Sequence, residues 1–318
     1  MLGELLDGVE MEPSAGALDV EVSGIAHDSR RVRPGDAFFA LAGARTDGAR
    51  YVRDAIAAGA RVVVGAPGVS AAGVPVVAVP EPRLALARAA CRLHGDPSRA
   101  MTVVAVTGTN GKTTTTWMLE SVFRAAGRTT GLLGTIGVRF GGTTRASAFT
   151  TPEAPELQAL LAEMRDAGVQ AVAMEVSSHA LAQRRTWGLA ADVCVFTNLT
   201  QDHLDFHHTM DAYLDAKLML FDGRNGGAGK RAVAVINDDD PAAAKVRSAA
   251  TRGGLAIRGF RAGLDAALAD LRVVGIEPQP GGLKLRVAID QDPARPDAPR
   301  SGGGTWEVRL ALLGRYNA

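Results

Sequence analysis

Residues 106–116 read VTGTNGKTTTT, between the apolar run Met101–Val106 and a stretch, Trp117–Ala126, whose pattern predicts a helix. A strand, a glycine-rich turn and a helix N-terminus in that order constrain the fold strongly. Free backbone N–H groups and the helix dipole converge on the turn and make it an anion site. Lys112 adds a mobile positive charge and Thr113 a hydroxyl suited to Mg²⁺. The strict phosphate-loop pattern wants a glycine where this chain has Val106, so Gly108 and Gly111 must supply the flexibility. An isolated Gly-Lys-Thr can arise by chance, and glycines before a helix can serve only a turn. Here the flanking strand, the helix and four consecutive threonines select the reading of a nucleotide-phosphate site.

At 318 residues the length suggests about two domains. The net charge of +1 argues against non-specific nucleic-acid binding, which needs a basic face. The two cysteines, Cys91 and Cys194, lie in apolar stretches and form neither a metal spacing nor a disulfide framework, which fits a reducing cytoplasm. The opening MLGELLDGVEMEPSAG carries acids where a secretory signal carries positive charge. No window approaches the ~20 apolar residues of a membrane span. A cytoplasmic protein is the expectation.

Residues 1–98 read as a small α/β domain, with strands at Val20–Ile25, Ala37–Ala40, Arg61–Val64 and Val76–Val79 and helices at Arg50–Ala58 and Arg83–Leu93. The turn-rich His94–Ala100 marks a boundary. From residue 99 to 318 strands alternate with helices. The sequence predicts Thr102–Thr107, Thr115–Ala126, Thr130–Gly134, Ala154–Ala167, Ala171–Glu175, Asp192–Thr197, Met210–Phe221 and Arg231–Asn237. Such alternation predicts a mostly parallel sheet covered by helices, with ligands at the strand C-termini. The tail reads as strands over 265–288, a hairpin loop or disordered excursion at Asp290–Gly304 and a strand from Thr305. It stops where a further helix would begin.

Three further stretches carry chemistry. MEVSSHAL sets Glu175 at a strand end, followed by Ser177, Ser178 and His179. A carboxylate there, downstream of a phosphate loop, suits a Mg²⁺ ligand, while the serines could equally begin a helix. FTNLTQDHLDFHHTM gathers Asp202, His203, Asp205, His207 and His208, half of the chain's six histidines, in one loop. YLDAKLMLF puts Lys217 on an amphipathic helix, where by itself it reads as a solvated surface lysine.

TGTNGKTTT, TTPE (Thr150–Glu153), MEVSSH, VFTNLTQDHLDFH and AKLMLF together resemble the Mur ligases of peptidoglycan synthesis. HDSRRVRPGDAFFALAGARTDGARY (His27–Tyr51) narrows the resemblance to the MurE type, UDP-N-acetylmuramoyl-L-alanyl-D-glutamate ligases. It covers nearly the whole chain but not the family's third, C-terminal domain, which recognises the incoming amino acid.

The resemblance implies an α/β protein with an N-terminal uridine-nucleotide domain and a central ATP-binding domain. It also implies an ATP-dependent ligase that joins a free amino acid to a UDP-N-acetylmuramoyl-dipeptide through an acyl phosphate. By that resemblance Gly108, Thr109, Asn110, Gly111, Lys112, Thr113 and Thr114 hold the ATP phosphates, and Asn317 lies near the adenine. Thr113 and Glu175 take a first Mg²⁺, and His203 a second. Lys217 matches a carbamylated lysine that faces the metal. Thr150, Thr151, Ser177, Gln183 and Arg185 match positions for the muramoyl-dipeptide arm. His27, Ser29, Ala44, Arg45 and Thr46 match uridine-nucleotide contacts. The expected state is a monomer, and the composition with TTPEAPEL leans toward meso-diaminopimelate rather than L-lysine as the added amino acid. The rival readings are another ligase of the superfamily (a MurD, MurF or folylpolyglutamate type), a non-catalytic fragment that binds UDP-substrate and ATP, and a P-loop GTPase. The last lacks its N-K-x-D guanine motif in this chain.

Overall fold

The computed structural model describes residues 1–43, 47–227, 229–261, 271–280, 282–289 and 304–310. The first unit contains α1 (Leu2–Leu5), β1 (Glu12–Pro13), β2 (Gly24–Ala26), β3 (Asp36–Ala40), α2 (Val52–Ala57), β4 (Val62–Gly65), β5 (Val76–Ala78) and α3 (Pro82–Leu93). Its sheet runs β1-β5-β4-β3-β2, with β2 to β5 parallel and β1 antiparallel at the edge. Both faces of β3 and β4 are buried, which is why DAFFA and VVVG read as nearly unbroken apolar runs. Phe39, Val62 and Val64 pack with Leu86 and Ala89 of α3, while Phe38 and Val63 pack with Val52 and Ala55 of α2.

The second unit contains β6 (Thr102–Thr107), α4 (Lys112–Ala125), β7 (Thr130–Gly134), β8 (Gly137–Phe140), β9 (Thr143–Arg145), α5 (Ala154–Asp166), β10 (Ala171–Glu175), α6 (Ser178–Ala182) and β11 (Val193–Phe196). It continues with α7 (Leu204–His207), α8 (Met210–Leu218), β12 (Val233–Asn237), α9 (Ala243–Arg252), β13 (Ala256–Arg261), β14 (Leu271–Gln279), β15 (Gly282–Ile289) and β16 (Gly304–Leu310). The sheet order is β16-β15-β14-β13-β12-β11-β6-β10-β7-β8-β9, parallel from β7 through β14 and antiparallel at both ends. After β6 the chain passes first to one side of that strand and later, through β11, to the other. The crevice this reversal leaves at the strand's carboxyl end is where open parallel sheets take ligands.

Several boundaries differ from expectation. The strand expected at Val20–Ile25 joins the sheet only from Gly24. The helix expected from Arg50 starts at Val52, after a 3₁₀ turn at Gly48–Tyr51. The helix expected from Thr115 starts at Lys112, because Gly111, at φ 84°, turns the chain directly into it. The helix expected to reach Phe221 ends at Leu218. The β8–β9 hairpin was not anticipated, although Gly141 and Gly142, at φ 57° and 75°, supply the two positive-φ residues that such a turn demands. Neither α9 nor β13 was anticipated. Of the tail, Leu271–Gln279, Gly282–Ile289 and Gly304–Leu310 are strands, while 290–303 lie outside the described residues.

Candidate functional site

β6 ends at Thr107, and the chain turns through Gly108 to Gly111 before α4 begins. Val106 is still a fully buried strand residue paired with Glu175 and Val195, so the turn begins later than in the strict phosphate-loop pattern. Gly108, at φ 147°, has no space for a side chain, since a Cβ there would run into the Thr197 hydroxyl. As the N-cap of α4, Gly111 offers no side-chain oxygen. The helix's first N–H groups therefore have no side-chain cap and face the turn together with the positive end of the dipole. Thr114 lies in that first helical turn.

The segment after β11 braces the loop. Thr109 N–H donates to the Asn198 carbonyl at 2.8 Å, Asn110 N–H to Asn198 Oδ1 at 3.0 Å, and Thr197 Oγ1 to the Asn110 carbonyl at 2.6 Å.

Lys112 Nζ donates to the carbonyls of Gly108 and Thr109, at 2.9 and 2.8 Å. Burial pulls its ammonium below the usual lysine range, and the charges of Glu175 and Asp202 oppose that. Lys217, 1% exposed, also donates to the Gly108 carbonyl, at 2.9 Å. The surface reading of Lys217 is overturned. Burial first, and the Lys112 charge second, bring its pKa down to about 7.

Glu175, 1% exposed, accepts from Thr113 Oγ1 at 3.0 Å, from Thr135 N–H at 2.9 Å and from Thr135 Oγ1 at 3.1 Å. Every one of these donors is neutral. Among the described residues no cation stands within ion-pair distance of this buried carboxylate, which is an arrangement that a hard divalent cation matches. Thr113 Oγ1 and the Glu175 oxygens are the donor chemistry Mg²⁺ prefers. Among the described residues no group of three or more His, Cys, Asp and Glu side chains gathers as a metal cluster. His203, at φ 52° and with its side chain 42% exposed, stands at the cavity edge, its Nδ1 3.5 Å from Asp202 Oδ1.

The loop, Thr135, Thr150, Glu175, Ser177, Ser178, His203, Tyr213 and Lys217 enclose one cavity of 230 Å³. Ser177 does cap α6, its hydroxyl accepting from Ala180 N–H at 3.2 Å, so the helix-start reading of the serines holds alongside the cavity position. Thr151, 1% exposed, donates to the Glu175 carbonyl and accepts from Ser177 N–H. Arg185 donates to the Thr151 carbonyl and to Gln183 Oε1, and pairs with Glu153 at 3.1 Å. Glu153 also holds Arg83 of α3, at 3.3 Å. The chain Arg83–Glu153–Arg185 thus joins the two units.

Arg83 lines a second cleft of 560 Å³ with His27, Asp28, Ser29, Gly43, Gly48 and Tyr51, at the carboxyl ends of β2 and β3. Ala44, Arg45 and Thr46 lie outside the described residues between lining positions Gly43 and Gly48, and so does Asn317. Sequence reasoning named Ser178 in its stretch without giving it a role, and missed Thr135, Tyr213 and the Thr197–Thr200 brace. Only Tyr213 carried a local signal, since it stands one helical turn before Lys217.

Residues 106–318 match the model of the Mur ligase middle domain, and 21–94 that of the Mur ligase family catalytic domain. The UDP-N-acetylmuramoyl-L-alanyl-D-glutamate–2,6-diaminopimelate ligase of Syntrophomonas wolfei is 44% identical over 251 residues, 79% of this chain and 51% of that protein. The UDP-N-acetylmuramyl-tripeptide synthetase of Deinococcus radiodurans is 41% identical over 305 residues, 94% of this chain and 57% of that protein. A solved structure of a UDP-N-acetylmuramoyl-L-alanyl-D-glutamate–2,6-diaminopimelate ligase aligns at a TM-score of 0.78 and 27% identity, over 93% of this chain and 57% of that one. The chain therefore spans about half the length of the curated relatives it matches.

Proposed function

The chain belongs to the Mur ligase family, and from that premise we propose that it carries the UDP-substrate and ATP sites of a MurE-type ligase. The reaction adds diaminopimelate to UDP-N-acetylmuramoyl-L-alanyl-D-glutamate, the substrates named for its relatives. The observation that carries the reading is the convergence on one cavity of an uncapped helix N-terminus, the half-buried Lys112, the buried Lys217 and a buried carboxylate with no ion-pair partner among the described residues.

In the first step a substrate carboxylate oxygen bonds to the γ-phosphorus of ATP while the β–γ bridging bond breaks, releasing ADP. Two anions must meet, so catalysis is mostly positioning and charge neutralisation. The loop amides and Lys112 hold the β- and γ-phosphates, and leaving the loop carbonyls frees Lys112 to do so. Thr113 and Glu175 would hold a first Mg²⁺ and His203 a second, and such ions would supply further neutralisation of negative charge. In the second step the amine nitrogen of the incoming amino acid bonds to the acyl carbon, the C–O bond to phosphate breaks, and the proton lost from nitrogen leaves with the phosphate.

Lys217 is the residue for carbamylation. A pKa near 7 leaves much of its amine neutral at physiological pH. The neutral amine attacks CO₂, an N–C bond forms as one C=O π bond opens, the nitrogen releases one proton, and the neutral amine becomes an anionic carbamate aimed into the cavity. Arg185, Gln183, Thr150, Thr151 and Ser177 hold the peptide arm, and the His27–Ser29 cleft holds the uridine nucleotide. The Arg83–Glu153–Arg185 chain supports one substrate spanning both.

Lys112→Ala tests the reading. Calorimetry with ATP and Mg²⁺ should find affinity reduced by about tenfold or more, with the far-ultraviolet circular dichroism unchanged. Equal affinity in both proteins would remove the loop from the site.

A further inference from the structure

Lys217 is held in place by more than its own helix, and this inference rests on the nucleotide reading above. Tyr213 precedes Lys217 by one turn of α8, so the two side chains share a face. It is 1% exposed, and the Lys217 ammonium lies over its ring at 4.3 Å from the centroid. Its hydroxyl lies 3.1 Å from Thr109 Oγ1, across 104 residues of chain.

The donors in this contact can be counted. A threonine hydroxyl has one proton to give and two lone pairs to fill. Thr109 Oγ1 gives its proton to the Thr200 carbonyl at 3.1 Å and accepts from Thr200 N–H at 2.9 Å. One lone pair remains, and the Tyr213 O–H fills it. Every hydrogen-bonding position of the Thr109 hydroxyl, 8% exposed as a residue, is then used.

We propose that Tyr213 is a positioning residue: its hydroxyl clamps the phosphate loop at Thr109 to the helix that carries Lys217, fixing the loop's conformation for nucleotide. Without it the loop keeps the brace from residues 197–200 but loses its only side-chain hydrogen bond to α8 other than that of Lys217 itself, among the described residues. The clamp acts on the loop and touches neither the peptide-arm contacts of Arg185 nor the His27–Ser29 cleft. Its loss should therefore be felt by one ligand and not by the other.

Tyr213→Phe removes the hydroxyl and keeps the ring under Lys217. In calorimetric titrations of the 318-residue chain with a non-hydrolysable ATP analogue and Mg²⁺, its dissociation constant should rise about fivefold. That for UDP-N-acetylmuramoyl-dipeptide should stay within twofold of wild type. Thr109→Val should weaken the analogue at least as much, since it also removes the two bonds to Thr200, and the double variant Thr109→Val/Tyr213→Phe should be no weaker than Thr109→Val alone, in which the bond to Tyr213 is already gone. Unchanged analogue affinity in Tyr213→Phe, equal weakening for both ligands, or additive losses would each overturn the clamp. A wild-type chain that binds no ATP analogue would instead overturn the nucleotide reading itself, and the clamp with it.

Discussion

The cleft at the glycine turn before α4 and the cleft beside His27 and Ser29 are built on opposite electrostatic plans. Around the phosphate loop, Glu175, Lys217 and Tyr213 are each 1% exposed, and the pKa values of both lysines are displaced by burial. In the first unit, His27, Asp28 and Ser29 are only half-buried and Arg30 is exposed. In its cleft Asp28 is held at about 2 chiefly by its side-chain hydrogen bonds with Arg30, and the same pairing raises the pKa of Arg30. Desolvated charge is what a group-transfer step needs, because preorganised charges act most strongly where water is excluded. A wet, locally neutralised cleft is suited to holding a nucleotide equally before and during the reaction. Variants should divide along that line, with losses of turnover in one region and losses of affinity in the other.

The largest effect belongs to Lys217. Lys217→Ala should lower turnover by on the order of a hundredfold or more, since it removes a charged group from a water-excluded site. Acetate or formate should restore part of the activity by filling the vacated oxygen position, and a carbamate carbon signal from ¹³CO₂-equilibrated wild type should vanish in the variant. Loss without rescue would keep the residue in the site and exclude the carbamate. Wild-type turnover would end its role altogether.

Legibility followed the same division, though not along the domain boundary. The strand–turn–helix at Thr107–Lys112 was readable because backbone geometry demands its glycines, and the place of Glu175 because a strand end is a local pattern. Lys217 was not readable from physics alone. Its acceptor, the Gly108 carbonyl, is 109 residues away, and a lysine on an amphipathic helix carries no mark of burial. Thr135 was invisible for a related reason, since its two bonds to Glu175 cross 40 residues and a threonine after a strand signals nothing. The parallel core was legible from alternation, whereas the α4 start was misread by three residues because four threonines in a row mask the helix that Gly111 initiates.

Acid should expose the buried plan before the open one. His207, 6% exposed, lies with Nε2 2.9 Å from Ser178 Oγ. Burial first, and then the neighbouring His179, Lys217 and His203, lower its pKa to about 4. Unfolded, the ring takes a proton near 6.5, so between about 6.5 and 4 the unfolded chain binds more protons than the native one. The stability contributed is complete above that window and is lost as pH falls through it, with a slope below about 1.4 kcal/mol per pH unit. Urea midpoints measured from pH 7 to 4 should fall more steeply for wild type than for His207→Gln. Parallel curves would mean that the ring titrates alike in both states.

The smallest effects are expected in the first unit, and they test the comparison from its other side. His27 and Ser29 follow β2 directly and line the cleft with Arg83, whose partner Glu153 leads to Arg185. If that cleft holds the uridine end of the substrate, its contacts are the same in the ground state and the transition state. Truncating them then costs uniform binding. His27→Ala and Ser29→Ala should each raise the KM for the UDP-linked substrate several-fold, on the order of one neutral hydrogen bond, and leave kcat and the ATP KM unchanged. Because the cleft is half-exposed, water replaces part of each lost contact, which keeps the effect well below that at Lys217. A fall in kcat at unchanged KM would place these residues in the chemistry and erase the contrast between the two clefts. Unchanged KM in both variants would remove the uridine nucleotide from this cleft, leaving the Arg83–Glu153–Arg185 chain as a purely structural tie.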